Sequence, residues 1–201
     1  MSRMILFAAL IASMLVLAGE VQADPAEDNA VKFVEKLGGS VRRDTKAKGK
    51  PAIEVFLSKS KITDVGLKQL APMKSLLILD LGNTKVTDAG LKQLAALKSL
   101  TDVRLENVEL TDAGLKELAA LDLTNIDLNR TAVTDAGLKE LAAFKNLKKL
   151  QLTNTKVTDA GLKALAPIGT LTFLDISGSS ATPAGVKELR KSLPKCKILG
   201  P

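Results

Sequence analysis

Any chemistry in this chain must come from carboxylates, amines and guanidinium groups. It carries 22 Asp and Glu against 29 Lys and Arg, no His, Trp or Tyr, and one Cys. Imidazole acid–base catalysis, His or Cys metal sites and disulfide frameworks are thereby removed. Two groups of oxygen-bearing residues remain as candidates. Asp80, Asp127 and Asp175 recur at regular intervals; on strands two places apart in a sheet they stand about 9.6 Å from one another. That is the far end of the carboxylate separation in inverting glycosidases. No groove-forming insertion surrounds them, so a carboxylate-based, glycan-active enzyme is the weaker expectation. Asp102, Glu106, Asn125, Asp127 and Asn129 offer oxygen ligands of the kind calcium takes, but Arg104 sits among them and offsets their charge. The expectation is a chain without catalysis, cofactor or metal.

The spacing of these residues is set by a repeat. The stretch VTDAGL stands intact at Val86–Leu91, Val133–Leu138 and Val157–Leu162, with variants at Ile62–Leu67, Leu110–Leu115 and Ala181–Val186. Successive copies begin 24, 24, 23, 24 and 24 residues apart. Self-similarity at that period predicts a solenoid, in which each turn buries its apolar face against the next. Between copies runs a second pattern, Leu76-x-x-Leu79-x-Leu81-x-x-Thr84-x-Val86, repeated as Leu147-x-x-Leu150-x-Leu152-x-x-Thr155-x-Val157.

These residues resemble the leucine-rich repeat, L-x-x-L-x-L-x-x-N/C-x-L, and the resemblance covers Ala52 to Leu193. The variant with T-D-A-G-L opening a helix is similar to repeats of exported bacterial proteins and of F-box proteins. It implies an α/β horseshoe of about six turns, with short parallel strands on the concave face and short helices on the convex face. It also implies a binding module, working through protein–protein or protein–ligand contact. A substrate receptor of a ubiquitin ligase is the alternative that the F-box likeness carries, although no F-box precedes the repeats in this sequence.

Within a turn, alternation sends Leu79 and Leu81 inward and leaves Ile78, Asp80 and Gly82 on the open face. Thr87 is placed to cap a helix, Asp88 lies in the first turn where the helix dipole favours a carboxylate, and Leu91, Leu94 and Ala95 form the inward stripe. Gly90 permits close approach to the neighbouring turn. Thr84, Thr131 and Thr155 stand where the family has Asn or Cys, which predicts hydroxyls satisfying backbone groups of the adjacent turn. The column Lys68, Lys92, Lys116, Lys139, Lys163 and Lys187 makes a basic stripe. In each of the first five turns an Asp four residues earlier predicts a neutralising helical ion pair.

On the open strand face, residue identity changes from turn to turn while the inward positions stay Leu, Ile or Val. The fold leaves those positions free, and freedom at exposed sites is what recognition needs. The partner-binding candidates are Phe56, Ile78, Asp80, Arg104, Glu106, Asp127, Asn129, Gln151, Phe173 and Asp175. Phe56, Ile78 and Phe173 are apolar where water is the alternative neighbour.

The ends divide the chain further. Arg3, an uncharged apolar run from Met4 to Ala18 and the sequence Val21-Gln22-Ala23 have the order of a secretory signal, which gives a segment 1–23 cleaved before Asp24. The apolar run is shorter than the roughly 20 residues of a spanning helix. Residues 24–51 lack the repeat and predict an amphipathic helix started by Asp28 and ended by Gly38-Gly39, then a short strand over Ser40–Arg43 and a basic loop with Lys46, Lys48 and Lys50. This segment is placed to cap the first turn. Residues 52–201 form the repeat domain, closing on a truncated strand in which Cys196 points inward. The net charge of +7 leaves an anionic envelope polymer as a possible second partner. Nucleic acid is a poor fit, because Phe is the only aromatic residue available for stacking. The expected molecule is an exported monomer that binds a protein.

Overall fold

The computed structural model describes residues 24–201. The expected export signal, 1–23, lies outside the described residues.

Where each apolar alternation was expected a strand forms: β1 (Ser40–Arg43), β2 (Ala52–Phe56), β3 (Ile78–Asp80), β4 (Asp102–Arg104), β5 (Asn125–Asp127), β6 (Lys149–Gln151), β7 (Phe173–Asp175) and β8 (Lys197–Leu199). They make one sheet in chain order, with β1 antiparallel to β2 and every later pair parallel. Val55, Leu79, Val103, Ile126, Leu150, Leu174 and Ile198 pair in register and are all buried. A slip by one residue would turn this whole ladder to water and the polar face inward, so the register is strongly fixed.

Parallel neighbours need a crossover. The TDAGL copies supply it as α2 (Asp64–Leu67), α3 (Asp88–Leu91), α4 (Asp112–Leu118), α5 (Asp135–Glu140) and α6 (Asp159–Leu165), followed by α7 (Pro183–Ser192). The first, second and fourth continue as 3₁₀ turns over Lys68–Leu70, Lys92–Ala96 and Leu141–Ala143. Helices this short do not persist alone in water; packing and the links between turns hold them.

Those links correct the expected ion pairs. The side chain of Asp64 accepts from the backbone N–H of Thr87 at 2.8 Å and from its hydroxyl at 2.7 Å. Asp88 does the same to Thr111, Asp112 to Thr134, Asp135 to Thr158 and Asp159 to Thr182. Among the described residues none of these aspartates forms an ion pair with the lysine four residues on. Each carboxylate instead reaches the start of the next helix, where exposed N–H groups and the helix dipole attract it. The threonine hydroxyls at α4, α5, α6 and α7 also accept from an N–H of their own helix, while those at α2 and α3 make no such cap. The glycines of the five later copies, Gly90, Gly114, Gly137, Gly161 and Gly185, make room for this arrangement. A Cβ on Gly114 would strike the Asp88 carboxylate and Leu110.

Three smaller expectations also change. Thr84, Thr131 and Thr155 donate to the carbonyls of Leu81, Leu128 and Leu152, three residues back in their own turn. They tighten the bend after each strand and do not serve the adjacent turn. Ala95 is only half-buried. Helix α1 (Pro25–Lys36) is capped by Asp24, whose carboxylate accepts from Ala26 N–H at 2.9 Å. Asp28 instead pairs with Arg43.

Helix α1 packs on the start of the sheet, with Val34 fully buried. Buried Glu27 fastens it by accepting from Ala52 N–H at 2.9 Å and from Arg43 at 3.2 Å. At the other end Cys196 is a buried free thiol, and burial pushes its pKa up. No helix among the described residues is long and apolar enough to cross a membrane.

Candidate leucine-rich-repeat binding face

Parallel pairing brings one residue from each strand into line across the sheet. The central row is Phe56, Asp80, Arg104, Asp127, Gln151, Asp175 and Leu199. An outer row holds Glu54, Ile78, Asp102, Asn125, Lys149, Phe173 and Lys197. The sequence-derived candidates on these strands thus meet on one face, with Glu106 and Asn129 just beyond β4 and β5.

Glu54, which the same alternation would leave on the open face, is an exception. It is 8% exposed and ion-paired to Arg42, because the antiparallel β1 places Arg42 directly opposite it. Arg43 is likewise taken by Glu27 and Asp28. The basic loop therefore keeps only its lysines free of these pairs.

The central aspartates share one geometry. Each accepts on Oδ1 from the N–H two residues on: Gly82 to Asp80 at 2.9 Å, Asn129 to Asp127 at 2.9 Å, Ser177 to Asp175 at 3.0 Å. Local bonds of this kind fix the side chain against the strand. Arg104 leans toward β3, with its guanidinium 3.8 Å from Asp80 and 3.6 Å from Asp102. Asn125 donates to the other Asp102 oxygen at 2.9 Å, and Arg130 lies 3.3 Å from Glu106. Asp102 and Glu106 are thereby already engaged by neighbouring side chains. Among the described residues no group of three His, Cys, Asp or Glu side chains is placed to hold a metal ion.

Asp127 differs from its counterparts. Burial raises its pKa, and Glu106 and Asp80 add to the effect, against the lowering influence of the Asn129 N–H and of Arg104. It borders a shallow depression of about 150 Å³ with Asp102, Arg104, Asn125, Lys149 and Gln151. Small-molecule sites run to about 300–1,000 Å³, so this one suits a single side chain of a larger partner.

Alternation alone left one column of the turn unassigned. Lys59, Asn83, Asn107, Arg130 and Asn154 all have positive φ, between 52° and 61°, and they bend the chain out of each strand. Three of the five are asparagine, which tolerates this conformation best after glycine. That recurrence was the available signal.

The Leucine Rich repeat family matches residues 73–95 and 145–166, two segments that each run from one strand's approach into the next helix. The fold is a leucine-rich-repeat solenoid. Among solved structures this repeat protein is similar to internalin C2 from Listeria monocytogenes strain 4b F2365, with 22% identity and a TM-score of 0.56 over 87% of this chain and 82% of that one. It is also similar to an internalin (inlF) from the same strain, at 15% identity and a TM-score of 0.54, covering 89% of this chain and 56% of that one. At these identities the likeness is one of fold. No curated protein sequence matches the chain significantly.

Proposed function

We propose that this leucine-rich-repeat protein is an exported, non-catalytic binding module that holds a protein partner against its open sheet face. On this reading residues 1–23 direct export, 24–51 close the first turn, and 52–201 form the working domain as a monomer.

The observation that carries the reading is the contrast between the two sides of the same strands. Inward positions keep Leu, Val or Ile and are buried. In-register outward positions hold Phe, Asp, Arg, Gln and Leu with no repeated rule beyond the aspartates. Phe56, Ile78 and Phe173 are partly open to water on that face, a placement that a partner would relieve.

Arg104 and Phe56 are the expected anchors, because binding energy concentrates in a few Arg and aromatic residues. A pull-down from the native cell envelope, followed by titration of the captured protein, tests this. Arg104→Ala should weaken binding by about 1–2 kcal/mol with the melting temperature nearly unchanged, and Lys92→Ala on the helix side should leave affinity intact. Equal affinity for wild type and Arg104→Ala, with a loss for Lys92→Ala, would move the site to the lysine column.

A further inference from the structure

The central row holds a regular alternation. Asp80, Asp127 and Asp175 lie on every second strand, with Arg104 and Gln151 in register between them. The row thus offers three carboxylates against one cation, on a chain whose total charge is +7. A cationic partner is attracted to this row and repelled by most of the remaining surface.

Spacing narrows the partner further. Strands in a sheet are about 4.8 Å apart, so successive aspartates stand about 9.6 Å apart. A polyproline II chain advances about 3.1 Å per residue with three residues per turn, so every third side chain falls on one side about 9.3 Å from the last. An extended β-strand returns to the same side after about 6.6 Å or 13 Å, and an α-helix after about 5.4 Å or 10.5 Å. Among these regular conformations polyproline II fits the row most closely.

The intervening positions fit as well. A polyproline II backbone has no internal hydrogen bonds, and its carbonyls seek donors. Arg104 and Gln151 bring donor groups to the two places where such a backbone would cross between aspartates. Phe56 and Leu199 end the row with apolar side chains, and Leu199 is 37% exposed. Aromatic and apolar surface is what proline-rich segments dock against.

We infer that the row Asp80, Arg104, Asp127, Gln151 and Asp175 is a register for a basic, proline-rich polypeptide segment. It lies across the strands in the polyproline II conformation with Lys or Arg at every third position. This rests on the sheet face being the partner surface, and it adds the partner's charge, conformation and period. Each aspartate is already fixed through Oδ1, so an incoming cation need not first immobilise the side chain. Burial and the carboxylates of Glu106 and Asp80 raise the pKa of Asp127, and a cation bound beside it would act against that rise.

The test uses the full chain and two synthetic peptides of identical composition: a repeating Pro-Pro-Lys sequence, and an isomer with its lysines gathered at one end. Polyglutamate serves as the anionic probe. The repeating peptide should bind about tenfold more tightly than the isomer. Asp127→Asn should weaken it about fivefold, and Lys92→Ala should not change it. Asn at 127 keeps the Oδ1 acceptor for the Asn129 N–H, and a melt verifies that the variant is folded.

Equal binding of the two peptides, binding of neither, preference for polyglutamate, or an affinity indifferent to Asp127→Asn would each overturn the register. The sheet-face reading has its own readout in the Arg104→Ala titration of the envelope partner. A silent register with a sensitive Arg104 removes only this inference, whereas a silent Arg104 removes both.

Discussion

Asp112→Ala separates the two roles that a carboxylate opening each helix could play. Its side chain accepts from the Thr134 N–H at 2.8 Å and from the Thr134 hydroxyl at 2.7 Å, and that hydroxyl in turn accepts from Ala136 N–H at 3.3 Å. Bonds to a charged group contribute about 1.5–3 kcal/mol each in burial and less where water competes. Asp112 is half-exposed, so the two together are worth about 2–3 kcal/mol. For a domain of this size the melting temperature should fall by about 4–10 °C. Lys116 has a side chain 64% exposed and sits 3.6 Å from Glu140, so Lys116→Ala should cost no more than about 0.5 kcal/mol. A double-mutant cycle isolates the contact. Asp112→Ala with Thr134→Val should show a coupling of about 1 kcal/mol, and Asp112→Ala with Lys116→Ala almost none. Thermal and urea melts supply these values. If Asp112→Ala and Lys116→Ala cost the same few tenths and couple to each other, the carboxylate serves its own helix and the link between turns is illusory.

Three further outcomes are expected. Gly114→Val should cost about 1–3 kcal/mol, because its Cβ would meet the Asp88 carboxylate and Leu110; a melt unchanged from wild type would contradict the close approach. Asp127 and Asp159 should respond to pH with opposite sign. The raised pKa of Asp127 makes ionisation cost stability as pH rises above its ordinary 3.8, so Asp127→Asn should raise the melting temperature at neutral pH and not at lower pH. Asp159 is lowered by the Thr182 N–H and hydroxyl, its two largest causes, so it contributes stability above 3.8 that is lost as pH falls through its folded value. Asp159→Asn should therefore lower the melt at neutral pH, with the loss shrinking in acid; melts of both variants across pH check the signs. Finally, intact-mass measurement of exported protein should give Asp24 as the first residue, and retention of Met1 would refute cleavage.

The strands and the core could be read from the sequence because they rest on short-range rules. Leu79 and Leu81 point inward by simple alternation, and the repeat period carries that assignment to every turn. The aspartates were misassigned by a rule that is also local. Asp88 and Lys92 have the right helical spacing to pair, whereas Thr111 lies 23 residues away and becomes a neighbour only after the solenoid has formed. The sequence did contain a hint. In the last copy Pro183 replaces Asp while Lys187 is kept, so the aspartate is not tied to the lysine four residues on. Glu54 was misplaced for a related reason: its neighbour β1 comes from outside the repeat, and no repeat rule predicts an arginine there. On the sheet face the sequence supplied the residues and their rows, but not the common Oδ1 anchoring of Asp80, Asp127 and Asp175, which depends on backbone N–H groups beyond each strand.

Carboxyl footprinting of the protein with and without its captured envelope partner tests the role of the sheet face most directly. Labelling of carboxylates, read by mass spectrometry, reports both faces in one experiment: Asp80, Asp127 and Asp175 on the strands, Glu117 and Glu140 on the helix side. Protection concentrated at the three strand aspartates is the predicted result. Protection confined to Glu117 and Glu140, with the strand aspartates labelled as in the free protein, would contradict it.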